Sequence, residues 1–441
     1  MAPSRVGVVG AGLAGLSAAI ELKSLGFEVD LFERSRLLGG KATSFTVAGI
    51  EVDNGQHVYL ACCTEFIDFA RQVGSVVDGG AETLFLQDRF DAVLLARNHP
   101  PARLRAVSLP APWHLAPALL RYRYLNLITR LRLALALLDA RKPARHDETF
   151  AGWLERHHQS DTARAAFWNP FLVPALNAPL EEVSAEAALF VISTAFLKNA
   201  GAGRFGYARI PLGRLAAAAA VRLDRVHLRT PVARLEFTRP GASEPDRPEV
   251  ILEDGTRLSF DAVVLAVPPD KLKSLLVHPE SFGVVGLDGF RTAAIVDIHL
   301  WYDLPDFGFG FAALLDSPVQ WVFEKGSGYL CCSMSAADEY ISRPSSELID
   351  LCHDELSLVL PVIRSNQPLR GAVTRDREAT FIPTPGLRRP GSATSQPRVT
   401  IAGAWTDTGW PATMESAVRS GRSAARATAA ELMGERRPAD E

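Results

Sequence analysis

Three short segments, far apart in the chain, carry residues whose types and spacing suit chemistry on a bound cofactor. The first is Gly10-Ala11-Gly12-Leu13-Ala14-Gly15. It follows a short apolar run, Val6 to Val9, and opens an apolar helical run through Leu25. A glycine-rich turn between strand and helix lets the backbone approach a pyrophosphate. The helix N-terminus then offers unpaired N–H groups and partial positive charge. Gly10 permits the tight turn, Gly12 the close approach, and Gly15 the packing of helix on strand. A second strand, Glu28 to Phe32, leads to Glu33, whose carboxylate suits the hydroxyls of an adenosine ribose. A second spacing of this kind, Gly201 to Gly206, follows a helix-like run from Ala185 to Lys198. No helical pattern with a ribose-binding acid comes after it, so it reads as a loop. The chain therefore carries one dinucleotide fold and no evident second one for a nicotinamide cofactor.

The second segment follows directly, with Arg34, the pair Gly39-Gly40, Lys41, and then Asp53-Asn54-Gly55-Gln56-His57. The third lies near the far end. There Val399 to Gly403 is strand-like, Asp407 follows, and a helix is expected from about Ala412 to Leu432. Together these resemble the flavin amine oxidase and phytoene desaturase superfamily, in which both chain ends build one FAD domain. The resemblance implies FAD as cofactor, with Gly39 and Gly40 over the pyrophosphate, flanked by Arg34 and Lys41. Leu13 and Ala14 would lie at the phosphate-binding helix start, and Val232 would meet the adenine through its backbone. Gly403 and Asp407 would face the pyrophosphate or ribityl chain. The helix starting near Met414 and Glu415 would point its positive end at the flavin pyrimidine edge, stabilising charge on the reduced flavin. Gly55, Gln56 and His57 would lie beside the isoalloxazine.

Further motifs narrow the likeness. Asp53 to His57 looks like the DNGQH signature of the hydroxysqualene dehydroxylase family. Phe167-Trp168-Asn169-Pro170, Ala175-Leu176-Asn177-Ala178-Pro179, Gln320 to Glu324, and Trp405 to Gly409 continue it. Ala404 stands where that family carries an acid, and Trp410 where a smaller apolar residue is usual. The implied reaction is reductive dehydroxylation of hydroxysqualene to squalene. It needs an acid to help hydroxide leave as water, and a hydride from reduced flavin. His57 is one acid candidate, because an imidazole can donate a proton near neutral pH. It equally suits holding backbone or flavin by a hydrogen bond. Glu324 is the other candidate, and also suits an exposed strand position. A carotenoid-type desaturase and a flavin amine oxidase are the alternatives within the superfamily. No residue pattern names the electron donor.

These segments must be brought together by the elements between them. At 441 residues, with 47% apolar and 22% charged residues, the chain has material for two domains. The fold expected is α/β, a Rossmann-type FAD-binding domain interleaved with an α+β substrate domain. The FAD domain would comprise residues 1–75, 208–278 and 396–435, and the substrate domain 76–207 and 279–395. The first insert reads as mostly helical, and the second opens with strand-like alternation from Arg291 to Trp301. Strands are expected over Val226–Phe237 and Glu249–Leu252, and residues 436–441 read as a disordered tail. Aromatics concentrate in the inserts, where some would line an apolar site and most would serve as core.

A net charge of −3 gives no reason to expect nucleic acid as a partner. The five cysteines, Cys62, Cys63, Cys331, Cys332 and Cys352, lack metal-site spacing and read as free thiols in a reducing cytosol. No metal is expected, and no apolar run is long enough to span a bilayer. The location implied is cytoplasmic. The stretch Trp113 to Leu138 mixes large apolar residues with Arg121, Arg123, Arg130 and Arg132. It suits peripheral contact with the inner face of a membrane, where an isoprenoid substrate would reside. It equally suits a substrate-domain helix with a solvated basic face.

Overall fold

The computed structural model describes residues 3–47, 49–74, 83–238 and 246–434. The expected tail, 436–441, lies outside them. Five strands form a parallel sheet in the order Arg225–Leu228, Glu28–Glu33, Arg5–Val9, Ala262–Leu265 and Val399–Ile401. The three central strands are almost wholly buried, as expected of a parallel sheet covered on both faces. Asp30 is the buried charge among them. It is fully enclosed and takes hydrogen bonds from Arg5, Arg225 and His227, which overcome burial and hold its carboxyl down at about 2. That contact ties the first strand to Glu28–Glu33 and to Arg225–Leu228, which arrives some two hundred residues later.

On one face of this sheet the first helix, Leu13–Ser24, packs against the last, Met414–Gly434. The two meet at Gly421. A Cβ there would stand 2.1 Å from both the Ala14 carbonyl oxygen and Ser17 Oγ. Ser17 Oγ in turn contacts the Val418 carbonyl at 3.2 Å. Backbone thus lies directly on backbone, which only a residue without a side chain permits.

A seven-stranded sheet forms the other half of the molecule. Its order is Arg370–Phe381, Thr292–Trp301, Tyr329–Ser335, Trp321–Glu324, Phe311–Leu314, Asp91–Leu95 and Ala102–Arg105. One face is covered by helix Ser345–Val359 through Val296, Ile298, Leu300 and Cys332. The other looks toward the parallel-sheet half and the helices of the first insert. A small sheet of Val58–Leu60, Phe205–Ala208 and Leu84–Leu86 joins the halves.

The structure departs from the sequence expectations in four places. The strand expected over Val226–Phe237 is two strands in different sheets, Arg225–Leu228 and Val232–Thr238. The chain turns between them at Arg229, whose φ is +53°, and Pro231. The first insert is mostly helical from Trp113 to Leu197, as expected, but it also supplies two strands to the large sheet and, with Leu84–Leu86 and Phe205–Ala208, two to the small sheet. The helix expected from Ala185 to Lys198 is regular to Ile192, then widens to a π-type turn over Ser193–Leu197. The stretch Trp113–Leu138 is broken into a short helix, Ala116–Leu120, and a longer one, Leu127–Asp139.

Gly421→Val should force the first and last helices apart. Overpacking of this kind typically costs about 1–3 kcal/mol. The expected outcome is a lower midpoint of thermal unfolding together with loss of visible flavin absorbance from the purified protein.

Candidate functional site

The glycine turn is built as a cradle. Gly10 N–H donates to the Phe32 carbonyl at 2.8 Å, and a Cβ on Gly15 would stand 1.8 Å from the Gly10 oxygen. Helix Leu13–Ser24 starts at Gly12 with no side-chain cap, so its first N–H groups remain open to an anion. Leu13 and Ala14 bury their side chains in the core beneath and give the site only their backbone. Glu33 accepts the Ala11 N–H at 2.9 Å and the Ser35 N–H at 2.8 Å. Two backbone donors fix the carboxylate at the sheet edge and leave lone pairs for a diol. The second glycine pair lies on the first turn. Gly39 N–H donates to the Ala11 carbonyl at 2.8 Å, and a Cβ on Gly40 would reach the Gly12 Cα at 3.0 Å. Gly39 and Gly40 have φ of +98° and +60°, a left-handed pair that folds the chain back over the cradle.

A cradle of bare backbone, open helix N–H groups and a fixed acid suits the pyrophosphate and ribose of FAD. Val232 is buried beside Phe32 and Val9 at the start of its strand. Of the two basic residues expected around the pyrophosphate, one has another engagement. Arg34 is exposed, and Lys41 pairs with Asp376 at 3.3 Å and with the Glu378 carbonyl.

The C-terminal segment comes to the same sheet edge. Gly403 N–H donates to Ser420 Oγ at 2.9 Å, which sets the loop on the last helix. Asp407 is exposed, its carboxylate accepting the Gly409 N–H at 3.2 Å. The last helix begins at Met414, as the resemblance implied. Glu415 is fully buried, where it accepts the Phe66 N–H at 2.8 Å and pairs with Arg419 at 2.6 Å. It therefore caps helix Thr64–Gly74, and its carboxylate is already satisfied. Sequence reasoning missed Arg389, which holds this loop. Its guanidinium donates to the carbonyls of Ala404 (2.9 Å), Trp405 (3.1 Å), Thr406 and Trp410 (2.6 Å). Burial lowers its pKa to about 10. Its place in a Pro/Gly/Ser-rich stretch gave no periodic signal.

The Asp53–His57 loop lies against the large sheet. Asp53 is structural, accepting from Ser44 Oγ (2.6 Å) and the Leu212 N–H (2.8 Å). His57 Nδ1 donates to the Gly55 carbonyl at 3.0 Å. Because a carbonyl can only accept, this bond puts the proton of the neutral ring on Nδ1 and leaves Nε2 as the basic atom. Beneath the loop is a residue the sequence reading passed over, Asp297. It is 2% exposed, and Gln56 N–H donates to its carboxylate at 3.2 Å. A Cβ on Gly55 would come within 2.9 Å of the same carboxylate. Burial pushes its carboxyl up to about 6, against the Gln56 N–H, the Ser333 hydroxyl, and the charges of His57 and Lys325. Two residues along the strand, His299 is also buried. It bonds Tyr329 through Nδ1 at 2.8 Å, and burial lowers it to about 4.

Farther across this sheet the wall becomes aromatic. Trp321 lies 5.5 Å from Phe205, 5.9 Å from Phe311 and 6.1 Å from Phe171 between ring centres. Asn177 clamps the helical insert to the sheet through Ala293 and Ala336, and Trp321 Nε1 does so through Pro170. The second acid candidate, Glu324, is occupied elsewhere. It accepts backbone N–H groups of Phe307, Gly308 (3.0 Å) and Gly310 (2.7 Å), and so anchors their loop.

Residues 13–429 match the family described as flavin containing amine oxidoreductase. A hydroxysqualene dehydroxylase of Rhodopseudomonas palustris is 30% identical, over 95% of this chain and 97% of its own. Another from Zymomonas mobilis is 27% identical, with coverage of 95% and 97%. A zeta-carotene desaturase of Zea mays is 23% identical, covering 95% of this chain and 82% of its own. Among solved structures, putrescine oxidase bound to putrescine superposes with a TM-score of 0.71 at 16% identity, covering 98% and 99%. Cyclohexylamine oxidase from Brevibacterium oxydans gives 0.69 at 18% identity, covering 98% and 100%. With its glycine cradle, fixed Glu33 and shared fold, the chain belongs to the flavin-containing amine oxidoreductases, within them to the hydroxysqualene dehydroxylase family, and is an FAD-dependent oxidoreductase.

Proposed function

We propose that this enzyme acts on an isoprenoid lipid and reductively dehydroxylates hydroxysqualene to squalene. The observation that carries the proposal is the single wall on which Asp297 and the His57 loop sit at one end and Phe205, Phe311 and Trp321 at the other. Relative to water a long hydrocarbon gains about 0.8 kcal/mol per buried CH₂, so an apolar wall can accommodate it as a bilayer does. Reduced flavin supplies the hydride. The chain has to supply the rest, which is a proton for the departing hydroxyl, exclusion of water, and tolerance of positive charge at the allylic carbon. Ring faces stabilise such charge by about 0.5–2 kcal/mol each. His57 would deliver the proton from Nε2, because Nδ1 is engaged by the Gly55 carbonyl. Asp297 holds the His57 loop in place through the Gln56 N–H. We read Asp297 as a positioning residue, since it acts through His57 and Gln56. The balance is simple: alcohol, proton and hydride give hydrocarbon and water. An enzyme working on such a substrate would meet it at a membrane surface.

The direct test is anaerobic. Photoreduced protein mixed with hydroxysqualene should reoxidise its flavin and yield stoichiometric squalene. Intact flavin with neither change would sink the assignment and turn the search to desaturation or amine substrates. His57→Ala should retain FAD and slow flavin reoxidation by about a hundredfold or more.

Asp297 generates a separate expectation for stability. Its folded pKa is raised from 3.8 to about 6, so the folded state holds the proton more tightly than the unfolded chain. Its contribution is therefore lost as pH rises through that window. Stability of the wild type relative to Asp297→Asn should fall, by on the order of 2 kcal/mol, between about pH 4 and pH 7. Denaturant titrations across that range measure it. A rise instead would mean the ionised carboxylate is the form the fold prefers.

A further inference from the structure

The segment from Val107 to Leu138 turns an apolar surface outward. Helix Leu127–Asp139 opens on Asn126, whose side chain accepts the Thr129 N–H at 2.9 Å. It buries Thr129, Leu133 and Ala136, and the last two join the core that also holds Trp168 and Trp321. The opposite side of such a helix is ordinarily polar. Here it carries Leu127, Ile128, Leu131, Leu135 and Leu138, exposed by 45% to 72%. At 3.6 residues per turn these five share an arc of roughly 100°, across the helix from the buried side. The preceding turns add Trp113 and Leu120, 57% and 65% exposed. These two border an open groove of about 520 Å³ with Leu109 and Pro117. A smaller groove of about 330 Å³ shares Leu109 and runs to Gly201 and Arg204. The next residue, Phe205, belongs to the aromatic wall.

The charges around this surface are predominantly positive. From Ala92 to Leu138 the sequence contains no Asp or Glu. The acids that border it are Asp139 at the helix end, held by Lys142 and His157, Asp91, held by Arg103 and Arg105, and the exposed Asp88 on the smaller groove. Arg121, Arg123 and Arg132 are exposed, with no ion pair among the described residues. Arg130 turns back to the Leu125 and Leu120 carbonyls, closing the gap between the two helices. In projection Arg130 and Arg132 fall on either side of the leucine arc. A contiguous aliphatic surface rimmed by unpaired arginines complements apolar chains beneath anionic headgroups. Among the described residues no helix is long and apolar enough to cross a bilayer, so the contact is a peripheral one.

We propose that the face formed by the Leu127–Asp139 helix and the Leu109–Leu120 groove docks this enzyme on an anionic phospholipid bilayer. It deepens the lipid-substrate reading by setting the groove that ends at Arg204, next in sequence to Phe205, against the membrane. The docking itself is read without substrate, so failure of either claim can be told apart.

The test is flotation of the FAD-loaded protein with vesicles of phosphatidylcholine alone or mixed with phosphatidylglycerol. Wild type should float with the anionic vesicles. Leu131→Glu/Leu135→Glu should retain its flavin and thermal midpoint yet bind at least about tenfold more weakly. Arg121→Glu/Arg132→Glu should lose the preference for phosphatidylglycerol, by about fivefold or more per charge removed. No binding by wild type, or equal binding by the leucine variant, would overturn the proposal. So would a wild-type dimer in light scattering that the leucine variant converts to monomer, since the face would then belong to a second copy.

Discussion

The contact of Gly421 with Ala14 and Ser17 is the constraint on which the cofactor half rests. The parallel sheet is assembled from strands that begin at residues 5, 28, 225, 262 and 399, and nothing in their own pairing fixes where the last helix lies. Backbone-to-backbone contact between the first and last helices does. The first helix opens on the glycine cradle, and the last opens just after the Gly403–Gly409 loop. Fixing their crossing therefore fixes the distance between two ends of a dinucleotide site. Arg389 completes the arrangement by gathering four carbonyls of that loop, at a cost in desolvation that its lowered pKa records.

A second constraint couples the cofactor half to the large sheet. Asp297 is enclosed in a strand whose neighbours on the same chain, Val296 and Ile298, face an apolar helix layer. A carboxylate so placed destabilises the fold unless it is paired, and burial raises its pKa accordingly. What it gains is the Gln56 N–H and the nearby His57. The DNGQH loop is thus seated on a buried carboxylate of that wall. Gly55 is required there because any side chain would displace the carboxylate.

How much of this was legible depends on the kind of signal involved. The glycine cradle, Glu33 and the strand pattern around them are local, since they follow from spacing along a few dozen residues. The same holds for the C-terminal strand and helix. Arg225–Leu228 and Val232–Thr238 ran together because both alternate. Only the turn at Arg229 and Pro231, set by partners Ser35 and Glu33, sends them to different sheets. Strands Asp91–Leu95 and Ala102–Arg105 were hidden in a helical insert because the hairpin they form joins the large sheet only through Phe311–Leu314, more than two hundred residues away. Asp297 and His299 were visible as polar residues inside an apolar alternation, Ile295 to Trp301. Read as strand composition they drew no attention. Their meaning came from what packs on that face. Glu324 and Glu415 were singled out by type and neighbourhood, and backbone N–H groups claim both, a bond no sequence pattern announces.

The two sides of the substrate half pose one physical problem. An allylic cation in the proposed reaction would be captured by water, so its charge must meet rings and hydride only. That requires the proton source to stand at the edge of an otherwise apolar wall, where His57 and Asp297 are. It also requires the substrate to arrive without a water-filled channel. On the proposed docking, a helix with leucines on both faces would meet that need, since its inner face extends the apolar core and its outer face would continue it into lipid. In this arrangement the substrate exchanges one hydrocarbon environment for another. The free energy that hydrophobic burial would otherwise provide on binding is then largely absent, because the substrate was never in water. Specificity must rest on the few polar contacts at the hydroxyl end, which again returns to the loop that Asp297 holds.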